Sequence, residues 1–329
     1  GILHESEART NLMIDSGDVN GTGWVGSMTR GAVTAGSPFG TYQTISPVSN
    51  GGVGAAIIYQ LGKTLTSGST PVTSSLVKNS AGSGWVILRT YDTGHGGRRA
   101  WFDLQNGVVG TKDAGILDYG MIDYGDGWWL CWASDNATST SGGFIVEVPN
   151  SNGGFSTSTA DVILIAGTQY EQGSTPSSYI PTSGSQVTRA AETLTVPAAN
   201  LPYSSTNMSI QMSGKMTGNN LTHIRWFEDA DDAILFETGT NNFTFTQEAG
   251  GTVDTVTGGS FTSGNLLAFN TASRHGSGFI NGAISGTALT ANTTPSALPD
   301  LADNNLVLGY DFMGTIAQFR MWDEDLTDA

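Results

Sequence analysis

Apolar residues in this 329-residue chain come in short runs, and almost nowhere do they repeat with a helical period. Residues 54–61, 85–91, 100–104, 128–133, 144–148 and 162–165 are strand-sized runs separated by Gly, Asn, Ser and Thr. Such spacing predicts antiparallel strands of a sandwich or barrel. The stretch from Ser174 to Ser185, with Pro176 and Pro181, has linker composition, because proline cannot serve in a central strand. After it the pattern restarts at 208–212, 224–227, 233–236, 243–246, 266–269, 278–280, 306–308 and 315–322. The expectation is an all-β chain of two tandem antiparallel β-sandwiches. Residues 1–183 form the first domain, 184–197 a linker or crossover, and 198–329 the second domain.

Composition narrows the function classes. Forty-five glycines supply the turns, and only 13% of residues are charged, with 29 acidic against 13 basic for a formal net charge of −16. A nucleic-acid backbone or an anionic membrane surface needs a Lys/Arg patch that this balance does not supply. Neither is an expected partner. No run of 18 apolar residues exists, and the opening residues lack the basic and apolar regions of a signal peptide. One cysteine, Cys131, excludes an internal disulfide framework and a cysteine-rich metal site. The chain opens at Gly1 without Met and stops at Asp328-Ala329, so both ends read as cuts in a longer polypeptide.

Several blocks carry a resemblance. Glu7-Ala8-Arg9-Thr10-Asn11-Leu12 with Asp15-Ser16-Gly17-Asp18 and Gly23-Trp24 comes first, then the block from Arg99 to Gly107, then Gly125 to Cys131, then Gln169 to Thr182. In this order they resemble jelly-roll carbohydrate-binding-type modules of phage structural proteins. The second domain resembles a laminin-G or concanavalin A-like sandwich in Phe279-Ile280-Asn281-Gly282 and in the block from Phe312 to Trp322, followed by a helix-like turn at Leu326-Thr327-Asp328-Ala329. The resemblance implies a tail fibre, head fibre or other appendage on a virion, non-catalytic, binding host or environmental glycans. It also implies cell-surface polysaccharide and other virion proteins as partners, and a homotrimer as a common assembly. The location implied is the virion surface, or else an extracellular one.

Saccharide recognition needs flat aromatic faces and planar polar side chains. Strand alternation puts Trp85, Ile87, Arg89 and Tyr91 on one face, with Val86, Leu88 and Thr90 on the core side. Ala100, Phe102 and Leu104 likewise face the core and leave Arg99, Trp101 and Asp103 opposite, while Trp128 and Trp132 share a face. If the faces coincide, Arg89, Tyr91, Trp101, Trp128 and Trp132 line one sugar groove, whose alternative is that these tryptophans pack inside. Arg89 and Arg99 are the local cations available to an anionic ligand.

A calcium ion is the cofactor considered, since jelly-roll modules of this type often carry one. Asp15-Ser16-Gly17-Asp18-Val19-Asn20-Gly21 fails the EF-hand template at Ser16 and Ser27, leaving Glu5, Glu7, Asp15 and Asp161 as acids that would have to converge from separate loops. The run Glu228-Asp229-Ala230-Asp231-Asp232 reads as a solvated loop. No paired-carboxylate spacing of a sandwich glycosidase occurs, and Asp323-Glu324-Asp325 is consecutive, so its side chains alternate in direction. His4, His95, His223 and His275 are scattered without a nucleophile motif and read as surface loop residues. Two other functions stay open: a decoration protein acting through protein contacts alone, and accessory domains of a secreted polysaccharide-degrading enzyme.

Overall fold

The computed structural model describes residues 1–49, 56–216, 221–261 and 267–326. Gly54, Leu266 and the terminal Thr327-Asp328-Ala329 lie outside the described residues. The chain divides into two compact units: a first unit, Arg9–Arg189, and a second unit made of Gly1–Ala8 with Ala190–Ala329. Both are all-β with antiparallel pairing, and the helical content of the described residues is one 3-10 turn at Ala198–Asn200.

The first eight residues belong with the second unit rather than with the first domain of the sequence reading. Ile2–Glu5 pairs with Met313–Trp322, and His4 stands opposite Gly314. Nothing local in four residues names so distant a partner. The expected linker 184–197 is also more ordered than its composition indicates. Val187–Arg189 pairs with Arg9–Asn11 in the first unit, and Leu194–Val196 pairs with Leu306–Leu308 in the second.

In the first unit, sheet A runs in the order Val108–Lys112, Gly96–Asp103, Trp85–Asp92, Ser141–Glu147, Ile57–Thr64, Val25–Gly26. Sheet B runs Ile116–Asp123, Trp128–Asp135, Pro71–Ala81, Val162–Gln172, Gly40–Ser46, Thr29–Arg30. The core between them is filled by alternate residues of each strand. Val86, Leu88, Phe102, Phe144 and Val146 from sheet A meet Ile45, Val77, Cys131, Ala133, Ile163 and Ile165 from sheet B. The core side assigned from alternation is therefore the one observed.

In the second unit, sheet C runs Ile2–Glu5, Met313–Trp322, Asn207–Met216, Leu267–Gly276, Phe279–Ile284, Thr287–Ala288. Sheet D runs Leu194–Val196, Leu306–Leu308, Thr222–Phe227, Ala233–Thr238, Phe243–Ala249, Thr252–Gly258. Met208, Ile210, Met212 and Met216 of sheet C pack on Trp226, Phe236, Phe243 and Phe245 of sheet D. The rings of Phe236 and Phe245 stack with centroids 5.0 Å apart. Flexible thioethers fill the irregular gaps that rigid rings leave between two sheets.

Candidate functional site

The five residues of the expected groove do not share a sheet. Arg89, Tyr91 and Trp101 stand on the outward face of sheet A, whereas Trp128 and Trp132 stand on the outward face of sheet B. A sandwich turns those two faces away from each other, so one groove cannot contain all five. All three tryptophans are also buried, with 3%, 3% and 1% of their surfaces exposed for Trp101, Trp128 and Trp132.

The cover comes from within the unit, from a loop over Trp101 and from strand residues of sheet B over Trp128. Trp101 Nε1 donates to the Gly154 carbonyl at 3.1 Å, and its ring meets Phe155 edge-on at 5.6 Å. Phe155, Pro149 and Thr157 close over Ile87 and Glu147 beside it. Trp128 meets Tyr42 edge-on at 5.7 Å and joins Leu76, Leu130 and Ala166 in a second small core outside sheet B. The two cations are engaged as well. Arg99 Nε donates to Glu147 Oε1 at 3.0 Å, and Arg89 Nη1 approaches the same oxygen at 3.4 Å. The guanidinium of Arg99 further lies 4.9 Å from the Phe155 ring centre.

The four acids considered for calcium divide between the units, Glu5 and Glu7 in the second and Asp15 and Asp161 in the first. Asp15 Oδ1 accepts the Gly184 N–H at 2.7 Å, and Asp161 Oδ1 accepts the Ser83 N–H at 2.7 Å. These carboxylates tie loops together. Among the described residues no group of three or more His, Cys, Asp or Glu is placed to hold a metal ion, so the donor set does not fit the ion.

Three of the four histidines are not surface loop residues. His4, His223 and His275 are 3%, 0% and 1% exposed; alternation turns His275 inward, whereas His223 enters the core at a register break between Thr222 and Ile224. His223 sits among Phe236, Phe269 and Phe312. Burial lowers the pKa of both His223 and His275 to about 3. His95 lies between Asp92 Oδ2 at 3.3 Å and Asp135 Oδ2 at 3.2 Å, where it pins the 93–95 turn.

An open face exists elsewhere, on the outward side of sheet C. Register aligns Trp322, Ser209, Arg274 and Asn281 in one row across four strands, and Arg320, Gln211, Ala272 and Ala283 in the next. Adjacent rows are about 7 Å apart and adjacent strands about 4.8 Å apart. Ala272 and Ala283 are neighbours in register, so the second row drops from long planar side chains to two methyl groups. That drop makes a shallow groove of about 150 Å³, floored by the alanines and Gln211 and walled by Arg274, Asn281, Trp322 and Leu326.

The groove's polar groups are held in place. Arg274 makes a two-pronged pair with Asp325, Nη2 to Oδ2 at 2.6 Å with Nε on Oδ1, and its guanidinium lies 4.8 Å from the Phe279 ring centre. Ser209 Oγ donates to the Glu324 carbonyl at 2.8 Å and accepts the Leu326 N–H at 2.9 Å, which folds the chain after Trp322 back along the groove. Gln211 Nε2 donates to Asn270 Oδ1 at 3.3 Å. The arrangement offers a half-buried indole, an apolar floor and fixed amide and guanidinium groups. Among the described residues that line it, no nucleophile stands against a base. Sequence reasoning overlooked this face although alternation in Met208-Ser209-Ile210-Gln211-Met212 displays it, because the rows join strands that are far apart in the chain.

No family model matches the chain, and no curated protein matches it. Among the solved structures it resembles, three show the low level of identity. The homodimeric agglutinin CG-16 from chicken liver is 10% identical, covers 40% of this chain and 99% of its own, and gives a TM-score of 0.26. Domains LG4-5 of the mouse laminin alpha1 chain are 12% identical, cover 84% of this chain and 91% of theirs, and give 0.30. The tail fiber protein gp63.1 of an E. coli phage is 11% identical, covers 95% of this chain but 41% of its own, and gives 0.26.

Proposed function

We propose that the chain is a non-catalytic saccharide-binding protein whose site is the outward face of sheet C, with the first unit serving as scaffold. The observation that carries this is the stepped pair of rows: an indole and two methyl groups for the apolar face of a sugar ring, flanked by Gln211, Arg274 and Asn281 for its hydroxyls. A groove of 150 Å³ is well below the ~300 Å³ of a drug-sized pocket. It suits one ring of a longer glycan, held weakly. Display in many copies on a particle turns weak contacts into attachment, because effective concentration replaces intrinsic affinity. The virion or extracellular placement, with a cell-surface polysaccharide and other particle proteins as partners and a trimeric assembly, rests on the sequence resemblance to phage appendage modules.

Two substitutions test the site. Ala272→Leu fills the floor, and Trp322→Ala removes the wall. Each is expected to weaken binding on a glycan array by about tenfold or more, equivalent to about 1.4 kcal/mol, with thermal unfolding nearly unchanged. Undiminished binding by the folded Ala272→Leu protein would sink the assignment.

A further inference from the structure

The second unit contains 17 acidic residues and four basic ones, Lys215, Arg225, Arg274 and Arg320. Three of the four stand on the strands of sheet C. Its strands Asn207–Met216, Leu267–Gly276, Phe279–Ile284 and Met313–Trp322 contain no acidic residue at all, and Glu5 on the edge strand is buried. The strands of sheet D, by contrast, include Glu237, Glu248 and Asp254. Acid is thus excluded from the strands of the open face in a unit that is otherwise rich in it.

The three cations differ in what already occupies them. Arg274 is neutralised by Asp325. Lys215 and Arg320 are exposed, and among the described residues neither forms an ion pair. The partner beside Arg320 on its own strand is neutral: the Gln318 amide, turned to satisfy both groups, accepts from Arg320 Nη2 at 2.8 Å and from Nε at 3.2 Å, which leaves the Nη1 side of the guanidinium open. Arg320 sits in the groove's second row opposite Gln211, and Lys215 lies four residues beyond Gln211 on the central strand. The fourth cation, Arg225, is held on sheet D between Phe227 and Tyr310, 3.9 Å and 4.3 Å from their ring centres.

Resting on the saccharide reading above, we infer that the ligand of this face is an acidic saccharide whose carboxylate or sulfate seats against Arg320, with Lys215 taking a second negative group farther along the chain. The argument is one of contrast. With its Nε–Nη2 edge on the Gln318 amide, the exposed guanidinium of Arg320 presents its Nη1–Nη2 edge as parallel N–H donors to a planar anion, and no acid on those strands competes for it. Asp323, Glu324 and Asp325 lie at the Trp322 end of the first row, with Asp325 already on Arg274, so within the second unit an anionic chain is steered away from that end and towards Arg320 and Lys215. A neutral sugar would gain nothing from the exclusion of acid.

The test measures binding of the purified chain to oligogalacturonate, dextran sulfate and neutral dextran by calorimetry at low and high salt. Over a change from about 50 to about 500 mM, contact with Arg320 makes acidic-ligand affinity fall, whereas the unit's net charge alone would make it rise as repulsion is screened. Preference for oligogalacturonate identifies a carboxylate ligand and preference for dextran sulfate a sulfate ester; either supports the inference. Arg320→Gln is expected to lower acidic-ligand affinity about tenfold and spare any neutral binding, while Arg225→Gln changes neither. Equal affinity for neutral and acidic ligands, affinity that rises with salt, or an equal loss from Arg225→Gln overturns the inference. Binding of neutral dextran alone overturns it too but leaves the saccharide reading standing; binding of no saccharide removes both.

Discussion

The two units present aromatic residues on outward sheet faces with opposite results. In the first unit, Trp101 and Trp128 stand outside their sheets yet are 3% exposed, because Phe155 closes over one and Tyr42 packs on the other. In the second, Trp322 remains half-buried beside a groove that no described loop fills. Cover, not face, separates packing from recognition. An outward indole joins the core once neighbouring chain covers it, whether a loop that also accepts its N–H, as Gly154 does for Trp101, or an adjacent strand, as at Trp128.

The units also differ in how they hold titratable groups, and acid should separate them. His223 and His275 have their pKa lowered to about 3 by burial in the second unit. Their unfolded forms take up protons below about pH 6.5. The stabilisation from keeping them neutral is complete above that pH and is lost as pH falls towards 3. Each histidine removes about 1.4 kcal/mol per pH unit, or roughly 5 kcal/mol for the pair at about pH 4.5. In the first unit, burial raises the pKa of Glu171 and of Asp135 above the usual carboxylate range. A raised carboxylate has the opposite sign: it costs stability above its unfolded pKa, and acid relieves the cost. Calorimetry from pH 7 to 4.5 is therefore expected to show the second unit's transition moving down while the first unit's holds. A common shift of both would contradict the contrast.

The next effect tests the covered face. Trp101→Ala leaves a cavity beneath Phe155 and Gly154, at a cost of about 3–5 kcal/mol to the first unit, and is expected to leave saccharide binding unchanged. Urea unfolding and array binding on the same preparation separate the two readouts; lost binding by a folded Trp101→Ala protein would return the first unit to the site.

The smallest effect concerns the Arg274–Asp325 pair, whose side chains are 21% and 20% exposed. Asp325→Asn should cost no more than about 1 kcal/mol, since solvent screens a pair of that exposure. Its consequence is electrostatic: Arg274 becomes available, and affinity for acidic ligands measured by calorimetry should rise, not fall.

Much of the fold is legible in the chain. Alternation in residues 85–91 and 100–104 correctly gives Val86, Leu88, Ala100 and Phe102 to the core, since period 2 is a property of a single strand. The candidate site was less legible. Arg89 and Trp128 read alike as outward residues, but which sheet each joins depends on pairing between strands tens of residues apart. Glu5 and Glu7 read as neighbours of Asp15, yet the strand at Ile2–Glu5 pairs with residues at the other end of the chain. The inward turn of His275 was available from alternation, though its Gly-rich surroundings pointed to a loop; that of His223 was not, because alternation with Ile224 and Trp226 turns it outward and only the register break between Thr222 and Ile224 brings it in.

By itself, then, the sequence determined strand, turn and face, and the acidic balance that sets polyanions at a disadvantage. Those follow from backbone geometry and net charge, which are local or summed quantities. Tertiary structure alone decided which outward faces stay open and where the few cations gather. Cover depends on loops such as 149–157 returning over a sheet, and the clustering of Lys215, Arg274 and Arg320 on one face depends on register among three strands distant in sequence.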